Sequence, residues 1–178
     1  MRGAVIYAPG DIRVEDRPDP VVLAPTDAVI RTAATCVCGS DLWPYRGIED
    51  VRGPAPMGAI GTQAQFARIP LADGTLVATP GMPDADLIPS LLTASDVLGT
   101  GWFGAVAAEA GPGKTVAVVG DGAVGLLAVL AARQLGADRV IAMSRHADRQ
   151  ALAREFGATD IVAERGDEGV ARIKEITG

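Results

Sequence analysis

The sequence predicts an α/β fold in two parts, a β-rich part over residues 1–83 and a partial βαβαβ unit over 84–178. Three observations carry that reading. The chain is 48% hydrophobic but only 4% aromatic, with 22 glycines, so alanine and valine must form the core. That suits a buried parallel sheet flanked by small-faced helices. Near residue 84 the pattern changes from short strands broken by Pro and Gly to helices alternating with apolar strands. Finally, Gly120-Asp121-Gly122-Ala123-Val124-Gly125 stands between an apolar strand and an apolar helix.

Residues 3–7, 12–15 and 28–34 read as strands, with Pro9-Gly10 and the 18–25 region as turns. Residues 63–69 and 75–78 continue the strand pattern. Helices are predicted at 84–93 and 97–110, the second stopped by Gly111-Pro112-Gly113. A strand at 115–119, a helix at 123–135 and a strand at 139–143 follow, with Gly136 as the helix stop. Residues 147–156 are helical, 160–163 form a third strand, and 169–176 a further helix. There is no internal repeat. Gly113-Lys114-Thr115 resembles the end of a phosphate-binding P-loop, but Ala108 stands where its upstream glycine belongs, and helix precedes strand.

The glycine run alone is a weak signal, and a turn without a ligand is the bland alternative. Its context gives each glycine a task. Gly120 permits the tight turn, Gly122 lets the backbone approach a pyrophosphate, and Gly125 lets the helix pack close. The helix N-terminus then presents free N–H groups and a positive dipole end to phosphates. Gly120, Gly122, Val124 and Gly125 are the expected cofactor contacts. An acidic residue after the second strand would accept hydrogen bonds from the ribose of NAD. Ser144 and Arg145 stand there instead. A hydroxyl and a guanidinium donate to a 2′-phosphate, so NADP(H) is expected over NAD(H). The alternative makes Arg145 a solvated loop charge and Ser144 a cap of the next helix. Arg149 could assist Arg145 or simply face solvent.

A net charge of −6 and the lack of a basic tract argue against nucleic acid. The amino terminus has too short an apolar run for a signal peptide, and no stretch of membrane-spanning length escapes interruption. Cys36 and Cys38 lie in a predicted strand, too close together for an ordinary disulfide, so a reduced cytoplasmic setting is expected. Cys36 reads as a small buried hydrophobe. Cys38 opens Cys38-Gly39-Ser40-Asp41, and Asp96 precedes Thr100-Gly101 by four residues. A thiolate and a carboxylate from the two halves would suit zinc, although Asp96 could equally cap a helix.

In this order, Cys-Gly-Ser-Asp, Asp-x-x-x-Thr-Gly and the glycine turn resemble the zinc-dependent medium-chain dehydrogenase/reductases, the alcohol dehydrogenases with a GroES-like domain. The flanks at 37–47 and 90–104 are similar to the branch with aspartate as a late zinc ligand. The resemblance implies a GroES-like first part and a partial Rossmann second part. It implies Cys38 and Asp96 as zinc ligands, Ser40 as the group passing the alcohol proton toward solvent, and Thr100 near the nicotinamide. Zinc would act as a Lewis acid while the nicotinamide C4 hydride moves between cofactor and substrate carbon. Trp43 stands where some members carry a relay histidine, and could instead wall the substrate pocket.

The chain departs from that pattern. The Gly-His-Glu segment and the four-cysteine structural zinc lobe of the family are absent, and Pro54–Gly58 leads straight into Ala59-Ile60-Gly61-Thr62-Gln63. The one histidine, His146, follows the second cofactor strand, where it is badly placed for the expected metal and reads as lying near the adenosine end or in solvent. Glu49 or Asp50 could substitute, but their spacing does not argue for it. With two of three usual ligands, zinc binding is expected to be weak or lost. The sheet is expected to stop after three strands, leaving an apolar edge and face uncovered. An internally deleted, shortened relative is the expectation.

Three functions remain open. One is a zinc-type NADP(H) oxidoreductase acting on a small alcohol or aldehyde, with a homo-oligomer possible in longer relatives. Another is a zinc-free NADPH-dependent enone reductase of the same superfamily. The third is a non-catalytic dinucleotide-binding fragment.

Overall fold

A computed structural model describes residues 1–48 and 63–178. Glu49, Asp50 and the junction at residues 54–62 lie outside the described residues. The chain divides into two compact units, Met1–Leu92 and Thr93–Gly178.

The first unit is built on two antiparallel pairs. Strands β1 (Arg2–Ala8) and β2 (Asp11–Asp16) form a hairpin in register from Arg2↔Asp16 to Ile6↔Ile12, with an irregularity before Ala8. Val5 is its fully buried anchor. Strand β3 (Ala28–Arg31) pairs with a later four-residue strand, β4 (Phe66–Ile69), and Gly3 bridges to Ala64. Between them come a short 3-10 turn, Gly39–Asp41, and helix α1 (Leu42–Tyr45). Asp27 braces the β3 entry. Its carboxylate accepts from the Leu23 and Ala24 amides and pairs with Arg68 at 2.7 Å.

The Arg68 hydrogen bond holds the Asp27 carboxyl below the usual carboxylate range, outweighing the burial that pushes it up. A depressed pKa contributes stability above the unfolded-state value of about 3.9, lost as pH falls through the folded value. Asp27→Asn is therefore expected to unfold at lower urea concentration than the parent at pH 7. The difference should close as the pH drops below about 4, read from paired urea melts.

Three sequence expectations fail in this unit. Residues 75–78 are not a strand. Helix α2 (Ala72–Thr75), entered through Leu71 in a left-handed conformation, takes Thr75, and residues 76–78 form no regular element. The Thr75 hydroxyl donates to the Pro70 and Leu71 carbonyls, which closes the turn, and Val77 beyond it is 96% exposed. The expected strand over 28–34 ends at Arg31, so neither cysteine lies in a strand. Arg31 pairs with Phe66, the first residue of β4, so the ladder runs out there. Cys36 is exposed, not a buried hydrophobe.

Helix α3 (Ile88–Ala94) begins four residues later than expected, because Pro89 fits only the first turn. The second unit then opens on α4 (Val97–Ala107). This helix ends before its expected glycine stop, where Glu109 adopts a left-handed conformation. Strand β5 (Thr115–Val119), helix α5 (Ala123–Gln134) and strand β6 (Arg139–Met143) follow. They lead to α6 (Ala147–Glu155), β7 (Asp160–Val162) and α7 (Gly166–Thr177). The strands form a parallel sheet in the order β5-β6-β7, with Val119 beside Met143.

Alternation along the strands divides the packing. Val118, Val140 and Ala142 join Leu126, Val129, Ala131 and Ala132 of α5 and Ala153 of α6 in one core. Ile141 and Met143 point the other way. A side chain at Gly169 of α7 would strike Met143, so α7 covers that face. Val119, on the same face of β5, is 80% exposed. Gly101 brings α4 hard against α5, since a Cβ there would lie 2.8 Å from the Ala128 amide nitrogen.

Candidate functional site

The expected cofactor residues converge in the second unit, at the carboxyl ends of β5 and β6. The chain leaves β5 through Gly120 at φ +116°, a value that L side chains rarely adopt. Gly122 is the N-cap of α5 and offers no side-chain hydrogen bond to the first turn. A Cβ on Gly122 would meet nothing within 4 Å. Gly125 is the opposite case, because its Cβ would run into the Gly120 carbonyl. The turn is thus folded tightly on its inner side and open on its outer side. The uncapped amides of α5 and its positive end face that opening, which fits an anionic diphosphate. Val124 lies exposed on the first turn of α5.

Ser144 follows β6 and is 2% exposed. Its amide donates to the Val162 carbonyl, and its own carbonyl accepts from Gln150. The Ser144 hydroxyl donates to Asp121 Oδ2 at 2.9 Å. Arg149 Nη1 donates to Asp121 Oδ1 at 3.0 Å. One carboxylate thus ties the glycine turn to the end of β6 and to α6. Burial pushes the Asp121 carboxyl up, but the Ser144 and Arg149 hydrogen bonds, with the Arg149 charge, hold it below its ordinary value. Arg145 is exposed and pairs with no described residue. His146, the N-cap of α6, is also exposed and makes no side-chain capping bond.

Asp121 is the functional candidate that sequence reasoning missed. Its signal was a charged residue between two glycines, with an arginine downstream that had no assigned partner. Ser144 does not cap the following helix, because the N-cap is His146.

The candidate metal residues fall in different units. In the first, Cys38 caps the 3-10 turn, and its amide donates to the Asp41 carboxylate at 2.7 Å. Cys38 is a free thiol of intermediate exposure, and Ser40 beside it is exposed. Trp43, on α1, is also exposed. In the second unit Asp96 is the exposed N-cap of α4. The Thr100 hydroxyl lies 3.2 Å from the Asp96 carbonyl and 3.4 Å from its carboxylate. Among the described residues, no three His, Cys, Asp or Glu side chains come together as a metal site. A catalytic zinc needs three protein donors. The described residues therefore supply fewer donors than a catalytic zinc takes.

Comparison with known proteins gives three findings. A family model described as a zinc-binding dehydrogenase matches residues 123–178. The chain is 28% identical to a medium chain reductase/dehydrogenase of Acremonium sp, over 99% of this chain and 81% of that protein. That match runs over 241 residues against 178 here, so the relative carries segments that this chain lacks. A zinc-type alcohol dehydrogenase B of Aspergillus flavus is also 28% identical, over 99% of this chain and 55% of its own length. Among solved structures, an alcohol dehydrogenase from Thermus sp. ATN1 superposes with a TM-score of 0.79 at 25% identity. It covers 99% of this chain and 67% of its own.

Proposed function

The chain belongs to the zinc-type medium-chain dehydrogenase/reductases, and on that premise we propose that it is an oxidoreductase moving hydride between NADP(H) and a small alcohol or aldehyde. The observation that carries the reading is the glycine turn, open at Gly122 and closed at Gly125, beneath the uncapped end of α5. Gly120, Gly122, Val124 and Gly125 would receive the pyrophosphate there. The nicotinamide, when bound, supplies the transferable hydride. Thr100 is proposed at that end of the cofactor, and Ser40 as the group that hands the alcohol proton to solvent.

The preference for NADP(H) rests on Arg145, which is exposed and pairs with no described residue, with Arg149 on the next helix. Ser144 contributes less than its position suggests, because its proton goes to Asp121. Arg145→Gln is expected to weaken NADPH binding about tenfold, through loss of a charge-assisted phosphate contact, while NADH binding stays unchanged. Fluorescence titration with both cofactors reads this. An unchanged ratio of the two affinities would remove the NADP(H) assignment.

Cys38 and Asp96 keep the donor chemistry of zinc ligands, but two donors fall short of three. One further fact favours a second reading, zinc-free reduction of an enone by NADPH. The sole histidine of the sequence sits at the start of α6, in the second unit, and none follows Cys38 within the first. Metal analysis, NADP-linked alcohol oxidation and NADPH-linked enone reduction separate these. Stoichiometric zinc with alcohol turnover supports the first, and metal-independent enone reduction the second. Cofactor binding without either activity assigns a binding module.

Free Cys36 and Cys38 accord with a reducing, cytoplasmic setting, which belongs to this proposal. Among the described residues no helix is long and apolar enough to cross a membrane.

A further inference from the structure

The strongest uncommitted feature of the molecule is the carboxylate of Asp121. We propose that Asp121 sets how sharply this site distinguishes a phosphorylated from a free adenosine ribose, by bringing a negative charge to the end of β6, where the local sequence has a hydroxyl and a guanidinium but no carboxylate. The inference rests on the adenosine site proposed above, and deepens it.

The argument starts from register. Val119 pairs with Met143, so the residues that follow, the glycine turn and Ser144, leave the sheet at the same end of adjacent strands. Asp121 accepts from Ser144 Oγ at 2.9 Å and from Arg149 Nη1 at 3.0 Å. A serine hydroxyl carries one proton. With that proton on Asp121, Ser144 has none to give to a ligand. The Arg149 guanidinium is half exposed, but its charge is compensated by a carboxylate in direct contact. Arg145 is then the one arginine here without a described counterion.

A 2′-phosphate carries up to two negative charges, so a carboxylate held at this end of β6 disfavours it. A free ribose carries no charge and feels almost none of this. The site is therefore moderated from within. Removing the Asp121 charge while keeping its size leaves Arg149 without its counterion and leaves a single amide oxygen to accept, which should favour the phosphorylated ligand.

An opposite role is conceivable, in which Asp121 mainly holds Arg149 in place for the phosphate. The two roles predict opposite signs. The test is calorimetric titration of the full chain with adenosine 2′,5′-bisphosphate and with adenosine 5′-monophosphate. The ratio of the two affinities isolates the 2′-phosphate. For Asp121→Asn and Asp121→Ser the ratio of bisphosphate to monophosphate affinity should rise about tenfold, whatever the change in the monophosphate affinity itself. Asp121→Glu, which restores the charge, should return it toward the parent value. A purely structural role would lower both affinities together and leave the ratio alone. An unchanged or lower ratio in both neutral variants overturns the proposal. A parent chain without preference for the bisphosphate removes the NADP(H) reading, while a rise in the variants still sustains the role of Asp121. Failure of every variant and the parent to bind either ligand removes both.

Discussion

Gly125→Val is expected to abolish dinucleotide binding and to lower the unfolding free energy by about 3 kcal/mol, the upper range for an overpacked position. The cause is specific. A Cβ at residue 125 would run into the carbonyl of Gly120, which is backbone and has no rotamer to yield. Either α5 must move away from the turn or Gly120 must leave its φ of +116°. Both changes misdirect the first-turn amides that would face the pyrophosphate. Gly122→Ala separates binding from folding. Its Cβ meets nothing within 4 Å, and the local φ of −80° is ordinary for alanine. That variant should therefore lose no more than the difference between Gly and Ala at an N-cap, about 1 kcal/mol, yet bind NADPH at least tenfold more weakly, because the methyl would occupy the open side of the turn. Thermal melts and cofactor titrations of the two variants check the pair. Normal binding by Gly122→Ala would mean that no ligand backbone approaches there.

Much of the second unit was legible because its signals are local. The apolar run from Thr115, the glycine punctuation and the apolar run from Arg139 each declare themselves within a few residues, and β5, α5 and β6 form within a residue of those bounds. The first unit gave less away. Thr-Leu-Val-Ala at 75–78 has strand-forming side chains, yet strand formation needs a partner, and the chain instead closes a helical turn through Thr75. Cys36 reads as a strand residue only while β3 has something to pair with, and β4 supplies four positions. Asp121 was hidden for another reason. Its partners Ser144 and Arg149 lie 23 and 28 residues away, and parallel pairing is what brings them to one carboxylate. A negative charge at the end of β6 cannot be found by inspecting the end of β6.

Ile141→Ala is expected to cost about 2–5 kcal/mol, enough to consume much of the stability of a small unit. Ile141 is fully buried on the middle strand, between Ala117 of β5 and Asp160 of β7. It lies on the sheet face away from α5, and the cover there is uneven. α7 closes over Met143, while Val119 on the neighbouring strand stands in the open. A residue on a face with a single helical cover has few neighbours able to collapse into a void, so a cavity there stays open. Ile141→Val removes one methyl and should cost about 0.5–1.5 kcal/mol, which grades the effect by volume. Urea melts of both variants, followed by far-ultraviolet circular dichroism, read the two losses. The consequence also reaches the candidate site. β6 is the strand that holds Ser144 level with the glycine turn, so loosening it should weaken dinucleotide binding, in Ile141→Ala well before the unit melts. Binding that persists unchanged up to the melting transition would show that the turn is held by α4 and α5 alone, through the close contact at Gly101.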